Sequence, residues 1–192
     1  VTSAYLDGRT DKPWNAERSD ADAEFAGELR IDLSSLGPLV AHPHSPGNVR
    51  TLEDSKGIPV DQVYIGNCSN GTMTDLRQAA QLLAGRKVHE RCRAIVVPAT
   101  AKIYREALAE GLIDAFVEAG AVVSTPTCGA CFGGGMGVLA AGEKAVATTK
   151  RNFKGRMGSP EAEVHLANSW VAAAAAVAGE IVDPAEVLGR SS

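Results

Sequence analysis

With 192 residues, 45% of them apolar and 22% charged, the chain is long enough to bury one core of ordinary size and has the composition of a globular domain. Its formal charge of −4 speaks against a general nucleic-acid binder, and no run approaches the roughly 18 apolar residues needed to span a bilayer. The opening Val1-Thr-Ser-Ala-Tyr5 has neither the layout of a signal peptide nor an initiator Met, so a cytoplasmic setting and a longer natural product are expected.

Residues 1–35 are polar and acidic, with Asp7, Asp11, Asp20, Asp22 and Asp32 and little periodicity. They read as a peripheral segment, or as the remnant of a linker to missing upstream domains, ahead of a domain over 36–192. From Leu36 to Asn48 three prolines, Pro38, Pro43 and Pro46, interrupt a short apolar piece, which predicts strand and loop. Val60 to Gly66 predicts a buried strand. Thr72-Met-Thr-Asp75 forms the acidic variant of a capping box and predicts a helix from about Met73 to Ala84, with Leu76, Ala79, Ala80 and Leu83 inward.

Arg93 to Val97 predicts a second strand, closed by Pro98. Lys102 to Ala119 carries apolar residues at helical steps, with Gly111 a candidate point of division into two helices. Ala121 to Ser124 predicts a third strand. The glycine tract Gly133 to Gly137 leads toward a short helix, and Lys144 to Thr149 predicts a fourth strand. A last helix is expected to open on Ser159 as cap with Pro160 at the first helical position, and to close at Gly179. Strands alternating with helices predict a layered α/β domain, three-layer α/β/α, with a mainly parallel sheet.

In open α/β sheets chemistry gathers at the carboxyl ends of the strands. Cys68 follows the first of these strands, Cys128 and Cys131 the third, and Arg151 the fourth, so one rim should collect them. Thiols in a chain without a secretory signal read first as metal or catalytic groups. Three converging thiolates can hold iron, zinc or a cluster; Cys128-Gly-Ala-Cys131 by itself also fits a redox pair after a strand. Iron-sulfur clusters usually take four protein ligands, and a three-cysteine site leaves one iron free to act as a Lewis acid. Cys92 has no partner in spacing and reads as a buried small residue.

The second chemical element is Lys150-Arg-Asn-Phe-Lys-Gly-Arg156. Five basic residues and no acid fall between Lys144 and Arg156. Arginine pairs with carboxylates through two parallel hydrogen bonds, so a small polycarboxylate substrate is indicated. His42, His44, His89 and His165 are scattered and read as structural. The glycine tract lacks a phosphate-binding pattern and reads as tight backbone packing.

Ile65-Gly-Asn-Cys68-Ser-Asn-Gly71, Cys128-Gly-Ala-Cys131 and Arg151-Asn-Phe-Lys-Gly-Arg156 together resemble the signature segments of the aconitase superfamily. The stretch Pro43 to Asn48 and the end through Gly179-Glu-Ile-Val-Asp-Pro184 resemble its 3-isopropylmalate dehydratase large-subunit branch. The resemblance implies a [4Fe-4S] cluster on Cys68, Cys128 and Cys131, with one iron lacking a protein ligand. It implies catalytic roles for Arg151 and Arg156, and substrate binding by Arg156, Arg151 and, as an added cation, Lys150. Asn70 and Asn152 match polar positions around the cluster. The implied activity is reversible dehydration of a hydroxy di- or tricarboxylic acid such as isopropylmalate, with homoaconitase, dimethylmalate or citrate types as relatives in chemistry. The implied partners are a small swivel-domain subunit and the amino-terminal domains of the large subunit, without which this chain should be inactive. Lys150 stands where the family usually has Asn, Asn67 where it commonly has Ser or Ala, and Phe132 to Met136 depart from the usual segment. A non-catalytic iron-sulfur module and a zinc site are the competing readings.

Overall fold

The structure, a computed structural model, describes residues 2–189 and divides into two units, Val1–Leu36 and Gly37–Ser192. The first unit holds a short helix α1 (Thr2–Leu6) and a 3-10 turn at Leu33–Ser35, and is otherwise without regular structure. Asp32 caps that turn by accepting the Ser34 N–H at 2.9 Å, and its carboxyl is held below the usual range by the Ser34 hydroxyl and amide. Phe25, Leu29, Ile31 and Leu33 are exposed along this unit.

The second unit is built on a seven-stranded sheet. Its strands are β1 (Leu39–Ala41), β2 (Val49–Thr51), β3 (Gln62–Gly66), β4 (Arg93–Val97), β5 (Val122–Val123), β6 (Lys144–Ala147) and β7 (Glu163–Leu166). The spatial order is β2-β1-β7-β6-β3-β4-β5. β7, β6, β3, β4 and β5 run parallel, and β1 and β2 add an antiparallel edge. The expected α/β class with a mainly parallel sheet is therefore present.

One face of the sheet carries the helices α2 (Met73–Leu83), α3 (Ala101–Ala109), α4 (Leu112–Ala119) and α5 (Ser169–Ala178). The Thr72–Asp75 capping box forms in both directions and starts α2, which buries Leu76, Leu82 and Leu83 completely. At roughly 2 kcal/mol for each such side chain, those residues anchor the helix layer. Gly111, in the left-handed conformation, separates α3 from α4, as the sequence suggested. The alanines 172–176 of α5 have no exposed surface, which allows α5 to lie close against α2 and β3. The opposite face is covered by a 3-10 turn at Gly129–Phe132 and by the segments around Leu139 and Met157, so loops take the place of a second helical layer. No helix among the described residues is long and apolar enough to cross a membrane.

Two expectations are corrected. The segment 159–179 is not one helix: Ser159 and Pro160 sit in a turn, Glu163–Leu166 is β7, and the helix begins only at Ser169. The true cap is Asn168, whose side chain accepts the Val171 N–H at 2.9 Å. Val164 and His165 are buried between the neighbouring strands, and that pairing overrides the local helix-start signal. The glycine tract does not lead into a helix; Leu139 instead bridges to Gly158 in the parallel sense.

β7 brings His165 against His42, with ring centroids 4.9 Å apart and planes at 77°. His42 Nε2 is 2.8 Å from the Ser55 hydroxyl, while His165 Nδ1 is shielded and without a partner. Burial, and secondly the neighbouring His42, depress the His165 pKa to about 4; burial also lowers that of His42. Such a group binds its proton in the unfolded chain near pH 6.5 but resists it when folded, so its stabilising contribution is present above pH 6.5 and drains away as the pH falls toward 4. Urea unfolding should therefore show a loss of about 2 kcal/mol between about pH 7.5 and about pH 5. A His165→Gln variant should lose most of that pH dependence; an unchanged dependence would show that other groups cause it.

Candidate functional site

The carboxyl ends of β3 and β6 are tied together by Thr148, whose hydroxyl accepts the Gly66 N–H at 2.8 Å. Beyond Gly66 the chain turns sharply. Gly66 has φ +99°, and a side chain there would run into the Val97 carbonyl of β4. Asn67 follows with φ 127° and is only 2% exposed. Its side-chain carbonyl accepts from the Ser69 amide at 3.0 Å, the Ser69 hydroxyl at 3.2 Å and the Asn70 amide at 3.3 Å. Gly71 closes the loop, its amide donating to Asn67 O at 3.1 Å and its carbonyl accepting from Ala99 N at 2.9 Å. A Cβ on Gly71 would stand 2.7 Å from Ala99 N and 2.8 Å from Asn67 O, so only glycine fits. Cys68 is presented, exposed, on the tip of this built turn.

The second cysteine loop follows β5. Cys128 caps the 3-10 turn Gly129–Phe132, and the Cys131 amide donates to the Cys128 carbonyl at 2.9 Å. The same carbonyl accepts a hydrogen bond from the Tyr64 hydroxyl at 3.1 Å, which anchors the turn to the middle of β3. Burial, and then the charges of Cys131, Cys128 and Cys68, push the Tyr64 pKa up to about 12. Asn67 Nδ2 reaches Cys131 Sγ at 3.7 Å and links the two loops.

These loops and the segment after β6 enclose a cavity of about 250 Å³, lined by Asn67, Cys68, Ser69, Cys128, Cys131, Phe132, Lys150, Arg151 and Arg156. Six of the eight sequence candidates for metal contacts, substrate contacts and cluster surroundings meet here: the three cysteines with Lys150, Arg151 and Arg156. No carboxylate or imidazole lines the cavity. Arg156 Nε is shielded from solvent and has no hydrogen-bond partner within the protein. A buried guanidinium N–H without an acceptor is costly, so the site is suited to an anionic group that supplies one.

Among the described residues, no three Cys, His, Asp or Glu side chains stand close enough to share one metal ion. A mononuclear zinc site needs its ligands at about 2.0–2.3 Å from a single centre. Thiols spread around a cavity instead suit a polynuclear cluster, whose separate irons take one thiolate each.

The two asparagines are placed differently. Asn70 sits in the Cys68 loop, its amide donating to the Thr148 carbonyl, and does not line the cavity. Asn152 is fully buried and donates to the carbonyls of His42 at 2.8 Å, Val164 at 2.9 Å and Ala41 at 3.3 Å, tying β1 to β7. It belongs to the scaffold and not to the cavity wall. Asn67, Tyr64, Ser69 and Phe132 are the contributors that sequence reasoning missed. The available signal for Asn67 was an Asn between a strand-ending Gly and a Cys, since Asn tolerates positive φ better than most residues. Cys92 is buried in the helix-side core, and burial pushes its thiol up to about 12.

The sequence model of the Aconitase family (aconitate hydratase) matches residues 2–179. The chain is 68% identical over 187 residues to 3-isopropylmalate dehydratase large subunit 2 of Rubrobacter xylanophilus, covering 97% of this chain and 44% of that protein. It is 55% identical over 187 residues to the 3-isopropylmalate dehydratase large subunit of Moorella thermoacetica, and 53% over 186 residues to that of Heliobacterium modesticaldum, with the same shares covered. The chain thus spans less than half the length of the curated relatives it matches.

Proposed function

The chain belongs to the aconitase family, and on that basis we propose that it is the cluster-carrying part of a hydro-lyase large subunit acting on a hydroxy di- or tricarboxylic acid of the isopropylmalate class. The observation that carries the reading is one cavity lined by three thiols and three cations, with no lining acid and with a buried Arg156 N–H that lacks an acceptor. Cys68, Cys128 and Cys131 would hold a [4Fe-4S] cluster. Bound through three thiolates, such a cluster supplies one Lewis-acidic iron without a protein ligand, suited to removal and return of water.

The chain's own residues account for binding and orientation. Arg156, partly buried beside Cys131, takes a substrate carboxylate through two parallel hydrogen bonds and fixes the acid against the sulfur rim. Arg151 and Lys150 are exposed at the cavity mouth and add positive charge that attracts a second carboxylate. Phe132 supplies an apolar wall, which accommodates an alkyl substituent such as an isopropyl group. With no carboxylate or imidazole lining the cavity, proton transfer falls to groups outside it. A small partner subunit and further large-subunit domains are the expected sources, in keeping with the large-subunit names of the relatives.

The test is catalytic. A full-length large subunit carrying this sequence, joined with its small subunit under anaerobic conditions, should interconvert 2- and 3-isopropylmalate or a close hydroxy-acid analogue. Absence of turnover with isopropylmalate, dimethylmalate, citrate and homocitrate, in a protein that holds its cluster, would contradict the reading and favour a non-catalytic iron-sulfur module.

A further inference from the structure

We propose that Asn67 is the positioning residue of the sulfur triad, setting Cys131 by an N–H···S hydrogen bond while shaping the turn that presents Cys68. The inference rests on the cluster reading above, and concerns a residue whose two side-chain ends do different jobs. The carbonyl end accepts from Ser69 N, Ser69 Oγ and Asn70 N, all within 3.3 Å, and so builds the turn on its own side of the cavity. The amide end crosses to the other cysteine loop and donates to Cys131 Sγ at 3.7 Å.

The backbone of Asn67 is equally committed. Its amide donates to Val97 O at 3.0 Å and its carbonyl accepts from Gly71 N at 3.1 Å, with φ held at 127°. At 2% exposure the residue is almost wholly buried. These bonds hold the donor toward the sulfur. A fixed N–H beside a thiolate stabilises negative charge on that sulfur, and hydrogen bonds to ligand sulfurs are among the factors that raise a cluster's reduction potential. The same bond keeps Cys131 within reach of the Cys68 loop, so assembly begins from two loops already joined.

Two substitutions share the loss of the donor and differ in charge and in the turn. Asn67→Asp keeps an oxygen for the Ser69 and Asn70 amides but loses the donor and adds charge. Asn67→Gly accepts the φ of 127° more easily than any other residue, loses the donor together with the turn-building carbonyl, and adds no charge. The reconstituted full-length large subunit, wild type and each variant, would be titrated electrochemically and followed by electron paramagnetic resonance. The expected result is a lower reduction potential in both variants, with faster loss of iron in air. A wild-type potential in Asn67→Gly would overturn the proposal, including the case in which only Asn67→Asp shifts, because that shift would reflect added charge. Failure of the wild-type protein to assemble any cluster would instead overturn the cluster reading itself.

Discussion

Replacing Cys128 with Ser is expected to abolish the visible absorption of the anaerobically reconstituted protein while leaving its fold in place. The side chain is exposed, and the structural work at this position is done by the backbone carbonyl, which receives Tyr64 Oη and Cys131 N–H. Both hydrogen bonds survive the substitution, so unfolding free energy should change by no more than about 0.5 kcal/mol. A serine hydroxyl remains protonated near neutral pH and is a poor ligand for the soft iron-sulfur core. The contrasting variant is Cys92→Ser. Its sulfur lies in the helix-side core, so the cluster should persist while stability falls by about 1–3 kcal/mol from the buried hydroxyl. Full retention of absorption in Cys128→Ser, read by spectrum and iron content together, would remove Cys128 from the ligand set.

Arg156→Ala should lower kcat/KM of the assembled enzyme on the order of 100-fold or more, the effect of removing one member of a shielded charge pair worth about 3 kcal/mol. Arg156→Lys should recover little of this, because an ammonium group cannot make the two parallel hydrogen bonds of a guanidinium. Arg151→Ala and Lys150→Ala, both at exposed positions, should cost less, and should weaken the salt dependence of kcat/KM because an exposed charge that salt screens has been removed. The cluster spectrum should be nearly unchanged in all of these variants. A normal kcat/KM in Arg156→Ala would show that its unpartnered Nε is only a packing feature.

The sheet and the placement of the sulfurs were legible in the sequence because their signals are local. Val63 to Ile65 is an apolar run between turn residues, Thr72 and Asp75 cap each other across one helical turn, and Gly111 stops a helix where it stands. Once those strands are parallel, the loops after β3 and β5 and the segment after β6 must emerge on one side, and the cysteines and arginines travel with them. What was not legible depends on partners far away in the chain. β7 is a strand because Glu163 to Leu166 lies beside Lys144 to Ala147, whereas Ser159-Pro160 locally promises a helix. Asn152 follows Arg151 directly, yet its amide is spent on carbonyls at Ala41 and His42, more than a hundred residues earlier. Asn67 and Tyr64 are connected to the Cys128–Cys131 turn across more than sixty residues, a link that no periodicity announces.

The covering of the sheet follows the same division. Helices α2 to α4 were readable from their apolar spacing, and they pack with α5 on one face. The other face is closed by Ala130, Leu139, Met157 and Ala162, single residues from loops that have no common period. That loop-built face is what allows the cavity to form, since the 3-10 turn of Cys131 and the segment carrying Arg156 meet there at Gly133, where a Cβ would stand 3.1 Å from the Arg156 carbonyl.

Mössbauer spectroscopy of the protein reconstituted with isotopically enriched iron tests the central claim most directly. Three thiols around a single cavity predict three irons of one type and a fourth that is distinct, with only the distinct signal moving when a hydroxy acid is added. Four equivalent irons, or a single mononuclear site, would contradict it.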